Sequence, residues 1–472
     1  MSLSDLILMI FYLVLAYTIA YVVYSLKLDD HRYRRFFLKG LTAKMLGGIG
    51  FAMVYTYYYT YGGDTMAYYE DASLITNFFF NNPFDGIRFL INPDGLNTTE
   101  AKDIIQRFRL EHNGSEYPVV RTAAILNIFG LNSYYSTTII FAFLSYLGVW
   151  HFFLVFAKRY PKIENQLAYA IFFVPSVFFW GSGIMKDSLV IGYLGMMLYA
   201  IDKFQEKGAI KLVWLILLIY FGYVIFSIKA YVIMALAPAL ILWVILNFKD
   251  KIRNSIVRTV LVPFLLVASI FGIAGALNVL GQYQSKYSID NFMMTAHGMQ
   301  TWHYQEGANF GGEHGRGSSY SLGDYEPTLL GTIQQFPAAV NVTLFRPYFW
   351  EVKNVAMLAG AIESFIVLIF SIFIFIGLGF FRVIKLLIKD PFLLMAVSFA
   401  LFFAFAVGFT SYNFGALVRY KTPCIPFYLC ALLILNFKVK EIKQKNKERL
   451  KMIVYGRSQS DLHGKVVSGF SK

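Results

Sequence analysis

Long apolar blocks alternate with short polar connections along almost the whole chain. Blocks long enough to cross a hydrocarbon core fall at about 5–26, 41–60, 135–157, 166–181, 188–202, 212–228, 230–247, 259–281, 354–380, 391–411 and 422–437. The pattern predicts an all-α fold, a polytopic transmembrane helical bundle of about 11 spans. Basic residues fall in every second connection. Lys27, Arg32, Arg34, Arg35 and Lys39 follow the first block. Lys158, Arg159 and Lys162 come next, then Lys203, Lys207 and Lys211, then Lys249, Lys251, Arg253 and Arg258, and then Arg382, Lys385 and Lys389. The bias of Lys and Arg toward the cytoplasmic side therefore puts the N-terminus outside and the C-terminus inside. A transmembrane domain spans 1–440, and a basic cytoplasmic tail spans 441–472.

Two polar segments are too long to be simple connections, and both belong to the outer face. The first extracytoplasmic loop, 61–134, holds two helical stretches, 68–80 and 117–129, suited to lying along the interface. The second, 282–353, is rich in Gly, Tyr and His and reads as a loop.

Composition fits this picture. Of 472 residues 57% are hydrophobic and only 15% charged, too few charges to cover a soluble surface. The 47 Phe and 33 Tyr suit lipid-facing helices and interfacial belts. A net charge of +14 would ordinarily point to nucleic acid, but the positives in short loops account for it. Cys424 and Cys430 share one apolar block, so no disulfide framework is implied. The first block is full length with no basic segment before it, unlike a cleaved signal peptide.

The chemistry lies in charges that break the sidedness pattern. Lys186, Lys229, Arg346, Lys353, Arg419 and Lys421 stand at outward helix ends, with Lys286 and Arg316 in the second loop. Asp64, Glu70, Asp71, Asp187 and Glu351 join them at the same depth. Charges at membrane depth are costly and face a cavity or a partner; taken singly, each is also explained as a snorkelling or paired interfacial residue. Gly62-Gly63-Asp64-Thr65 leaves bare backbone where a block ends, so Asp64 can approach a ligand and act as a general base. Asp64 also suits the N-cap of a helix starting near Met66, and both roles can hold. In the run from Pro175 to Asp187, Gly181 and Gly183 permit a tight turn whose N–H groups can cradle phosphate beside Lys186, while Asp187 suits a helix cap. Lys229 is a lone cation between two blocks. Arg346 precedes an aromatic belt and Glu351. Arg419-Tyr420-Lys421 leads into Pro423 and Pro426. Arginine suits bidentate phosphate contact, which favours Arg346 and Arg419 as phosphate ligands. His297, His303 and His314 share the second loop with Glu313, but their spacing matches no metal signature. No nucleotide-binding loop, serine elbow or zinc-protease motif occurs.

Together these landmarks resemble the polytopic GT-C class of glycosyltransferases and the membrane proteins of exopolysaccharide and O-antigen clusters, over roughly 40–437. The resemblance implies that Asp64 is the catalytic carboxylate opening the first extracytoplasmic loop. Lys186, Arg346 and Arg419 would hold a polyprenyl-phosphate head group; Lys229 is a further candidate phosphate ligand, and Glu70, Asp71, Asp187, Glu351 and Lys421 are candidate supporting residues. Arg419-Tyr420 followed by Pro423 and Pro426 is similar to the late Arg-Tyr…Pro pattern of the class. Two departures stand out: Asp64 follows the second block rather than the first, and the paired acidic motif is absent.

The implied activity is inverting transfer of a sugar from a polyprenyl-phosphate donor to an extracytoplasmic saccharide or lipid-linked acceptor, in a bacterial cytoplasmic membrane. No metal ligand set or cofactor is called for, and a divalent cation stays open as an addition. A polysaccharide polymerase or ligase built on a polyprenyl-diphosphate carrier would rely instead on His297, His303, Arg316 and Arg346. A lipid-linked sugar transporter or flippase would bind the same anion without chemistry.

Overall fold

The computed structural model of the protein describes residues 1–27, 31–59, 63–206, 211–249 and 318–469, with Met294, Gly298, Gln300 and Thr301. The expected span 259–281, and with it Lys286, His297, His303, Glu313, His314 and Arg316, lies outside the described residues. Among the described residues every regular element is a helix, and the only β pairing is an isolated bridge between Ser319 and Asn413.

Two long helices, α1 (Leu3–Lys27) and α2 (His31–Tyr57), lead into four that build a cap: α3 (Gly63–Asn81), α4 (Pro83–Ile91), α5 (Thr99–Arg107) and α6 (Tyr117–Phe129). Next come α7 (Tyr134–Arg159), α8 (Glu164–Phe172), a single π-helical turn over Ser176–Trp180, α9 (Lys186–Gln205) and α10 (Lys211–Lys249). The C-terminal part comprises α11 (Leu329–Gln334), α12 (Phe336–Phe345), α13 (Val355–Leu378), α14 (Phe380–Lys389), α15 (Pro391–Ser411), α16 (Phe414–Tyr420) and α17 (Ile425–Gly469). Local chemistry sets many of these starts. The side chains of Asn354, Asp390 and Asn413 accept the backbone N–H of Met357, Leu393 and Ala416, which caps α13, α15 and α16.

Six described helices (α1, α2, α7, α10, α13 and α15) are long and apolar enough to cross a membrane. Helices α16 and α17, bent by 63° at their junction, bring the number to as many as seven. The protein is thus multi-pass, with fewer complete spans among the described residues than the eleven apolar blocks suggest. The expected span 166–181 is split into nine-residue α8 and the π turn, and Pro175 lies in the break just before that turn. The block 188–202 forms 20-residue α9, which carries Lys186, Asp187, Asp202 and Lys203 at its ends. The blocks 212–228 and 230–247 are the two arms of α10, whose backbone leaves helical geometry at Lys229 (φ −146°, ψ 83°). Unbroken, its 39 residues would reach roughly 58 Å, about twice the hydrocarbon core. The last block does not end near 437; its helix continues to Gly469.

The centre of the bundle is aromatic. Phe427 meets Phe152 edge-on at 4.7 Å and Phe399 at 4.5 Å between ring centroids, while Phe392 meets Phe156 and Trp243. Helices α7 and α9 cross at bare backbone, where a Cβ on Gly148 would stand 1.8 Å from the Gly192 carbonyl oxygen. At one end of the bundle the basic connections meet in ion pairs. Arg35 reaches Glu164 at 2.7 Å, Arg159 reaches Asp202 at 2.5 Å, Lys162 reaches Glu441 at 3.1 Å and Lys438 reaches Asp390 at 2.7 Å. The cap closes the other end.

Within the cap, the expected helices over 68–80 and 117–129 are α3 and α6, which pack on each other. Asn127 of α6 donates to Thr76 of α3 at 3.3 Å and accepts from Thr137 of α7 at 2.6 Å. Glu70 and Asp71 serve this packing. Glu70 pairs with Arg109 at 2.5 Å, and Asp71 accepts the backbone N–H groups of Arg109 and Leu110 at 2.9 and 3.0 Å. Burial pushes the Asp71 carboxyl above its ordinary value, and those N–H groups offset part of the shift. Replacing Asp71 with alanine leaves both donors unmet and is expected to loosen this corner by about 1–3 kcal/mol. Limited proteolysis reads the change as faster cleavage in the segment 108–116, with the transmembrane core resisting as before.

Candidate functional site

Four residues singled out in the sequence meet where the cap sits on the bundle. Gly63, with φ +55°, turns the chain into α3 and sets Asp64 in its first turn. The helix starts earlier than expected, so Asp64 is inside it rather than at an N-cap near Met66, and its carboxylate faces across to α16. There Arg419 Nη1 donates to Asp64 Oδ2 at 2.8 Å. Arg419 Nε lies 3.6 Å from Asp187 Oδ2, and Lys229 Nζ donates to Asp187 Oδ1 at 2.5 Å. The chain of contacts Asp64–Arg419–Asp187–Lys229 joins residues from α3, α16, α9 and the break in α10.

The two carboxylates differ in setting. The Asp64 side chain is 54% exposed, whereas that of Asp187 is 1% exposed and Lys229 beside it 5%. Asp187 therefore does not cap α9, the role its position suggested. It makes no cap bond there and is the buried anchor that two cations share. Lys229 is held in place by the loss of helical geometry at its own backbone, which turns its ammonium toward Asp187 and 4.6 Å from the centre of the Tyr420 ring. Arg419 Nε is buried facing Asp187, too far for a hydrogen bond, and Nη2 donates to the Tyr420 hydroxyl at 3.2 Å.

A second charged group borders the first. Lys186, one residue before Asp187, donates to Glu116 Oε1 at 2.6 Å and to Ser115 at 2.9 Å. Tyr68 of α3 donates to the other oxygen of Glu116 and lies within electrostatic reach of Asp64 and Arg419. Burial, then the neighbouring Glu116, pushes the Tyr68 phenol well up, so it stays a donor. Nothing in the sequence marked Glu116: it stands in a polar stretch without periodicity, one residue ahead of α6. The face thus carries three cations (Lys186, Lys229, Arg419) and three carboxylates (Asp64, Asp187, Glu116). Of these six side chains only that of Asp64 is more than half exposed.

Other expected members sit elsewhere. Arg346 is engaged by Glu351, with Nε 3.0 and 3.1 Å from its two carboxylate oxygens, and its guanidinium lies 5.0 Å from the Phe414 ring at the start of α16. It borders the helix that carries Arg419 without touching Asp64. Lys421 points the opposite way from Arg419. It is fully buried, donates to Ser364 at 2.6 Å, and lies within electrostatic reach of Glu363, which accepts the Ser176 N–H at 2.9 Å. Lys421 and Glu363 tie the bend between α16 and α17 to α13 and the π turn, a structural role in place of the supporting site role. Glu70 and Asp71 likewise belong to the cap. Among the described residues no group of three or more His, Cys, Asp or Glu converges as a metal site.

The arrangement sets a guanidinium between one exposed and one buried carboxylate, so an anion entering at the exposed end would compete with Asp64 for Arg419. Set against protein-family models, curated proteins and solved structures, the chain matches none of them.

Proposed function

We propose that this protein is an integral membrane glycosyltransferase, similar to the GT-C class, that takes a sugar from a polyprenyl-phosphate donor to an acceptor at the extracytoplasmic face. The observation that carries the reading is the 2.8 Å contact between Asp64 and Arg419, which joins an exposed carboxylate to a cation whose Nε is buried facing Asp187. In this reading the donor's phosphate enters beside Arg419, competes with Asp64 for the guanidinium and frees the carboxylate. Asp64 then takes the proton of the acceptor hydroxyl, and that oxygen attacks the anomeric carbon with inversion. The bond from the anomeric carbon to the phosphate oxygen breaks, and its electron pair leaves with the polyprenyl phosphate. Arg419, Lys229 and Lys186 stabilise the charge that develops there. Asp187 fixes Arg419 and Lys229 relative to each other, so the cations need no rearrangement when the charge appears.

The test uses the purified chain in lipid nanodiscs with a lipid extract containing polyprenyl-phosphate-linked sugars. Release of free polyprenyl phosphate that depends on added acceptor supports transfer. Movement of the intact lipid-linked sugar across sealed vesicles without release would replace this reading with transport.

A further inference from the structure

Far from the cap, α14 is built unlike the helices around it. Gly379, with φ +74°, ends α13 and turns the chain sharply, and the ten residues Phe380–Lys389 run from there to the start of α15. Their side chains divide into three sectors. Val383 and Leu387 are buried against the bundle. Phe381 (87% exposed), Ile384 and Ile388 are solvent-facing and, at 3.6 residues per turn, share roughly 60° of arc. Arg382, Lys385 and Lys389 are also exposed and share the adjoining arc of roughly 60°. Among the described residues no carboxylate stands within ion-pair distance of these three cations, because Asp390 next door is taken by Lys438 at 2.7 Å and by Tyr160 at 2.8 Å.

We infer that α14 lies in the plane of the leaflet where α13 ends and α15 begins, and that it is a binding surface for anionic phospholipid. Phe381, Ile384 and Ile388 enter the acyl region, and Arg382, Lys385 and Lys389 hold headgroup phosphates. A stripe of unpaired cations directly beside an exposed apolar stripe fits an anionic lipid, which offers both chemistries in one molecule. A soluble acidic partner would meet only the basic arc and leave the phenylalanine and isoleucines in water.

The experiment places the full-length chain with Phe381→Trp in nanodiscs of phosphatidylcholine and phosphatidylglycerol. Composition is fixed, and the acyl chains of one lipid or the other are brominated. The reading is fluorescence quenching specific to the added tryptophan, relative to the unsubstituted chain in the same discs. Quenching per brominated lipid should be at least about threefold stronger when the bromine is on phosphatidylglycerol, and raised salt should shrink that preference. The triple substitution Arg382→Gln, Lys385→Gln, Lys389→Gln should bring the ratio near one. Equal quenching by the two lipids, or a preference unchanged by the triple substitution, overturns the anionic-lipid assignment. Absence of quenching by either lipid overturns the in-plane placement. The lipid swap on Phe381→Trp alone decides the matter even where the triple variant fails to fold.

Discussion

Replacing Asp187 with leucine is expected to destabilise the folded bundle by about 3–5 kcal/mol, the penalty for leaving a buried charge without its partner. Lys229 has nowhere to go. Its side chain is 5% exposed, its backbone is fixed at the break of α10, and Asp187 is its ion-pair partner at 2.5 Å. Arg419 suffers less, because it retains Asp64. The double substitution Asp187→Leu, Lys229→Met removes both charges and should recover most of the loss, since a buried ion pair is worth little more than well-packed apolar side chains of similar volume. Thermal unfolding of the three proteins in one lipid composition checks this. A single variant as stable as the parent would mean that Asp187 and Lys229 do not form the buried pair.

Replacing Asp64 with asparagine is expected to do the reverse. The pair it makes with Arg419 is half open to the outside, and such pairs contribute about 0–1 kcal/mol, so folding should be almost untouched. Release of polyprenyl phosphate, by contrast, should fall about 10²- to 10⁴-fold, the range for loss of a general base. Carrier binding should persist, because Arg419 is then relieved of its carboxylate. Measuring release and binding on the same preparation separates the two effects. Near-parental release by Asp64→Asn would remove Asp64 as the base.

These opposite outcomes come from two aspartates on one arginine, and the sequence distinguished them poorly. Both stand early in a helix after a glycine-containing turn, and both fit a cap. What separates them is depth, and depth is set by which helices pack over them. Asp187 is covered by α10 and α16, whose contributing residues lie far along the chain, so no local pattern could show that Lys229 and Arg419 converge on it. Glu116 was invisible for the same reason. It belongs to the site only because the cap folds Ser115 and Glu116 against Lys186. Lys421 misled in the other direction. Its place two residues after Arg419 predicts a second outward cation, but the end of α16 turns it inward to Ser364.

Continuous apolarity was the more reliable guide. The blocks at 5–26, 135–157, 354–380 and 391–411 correspond to α1, α7, α13 and α15, and the stretch 117–129 to α6. Hydropathy counts residues, however, and does not report whether the backbone stays helical. It therefore read 166–181 as one span where α8 stops and a π turn begins. At Lys229 the interruption was legible, because a lone cation between two apolar blocks marks a place where the helix gives way.

Central to the proposed function is binding of a membrane-borne carrier's phosphate at Arg419 and its neighbours. The most direct measurement is native mass spectrometry of the purified chain with added polyprenyl phosphate, in parallel with neutral polyprenol of the same length. One polyprenyl phosphate per chain is expected on the parent protein, little on Arg419→Gln, and no retention of the alcohol by either. Equal retention of phosphate and alcohol, or full binding by Arg419→Gln, would contradict the claim.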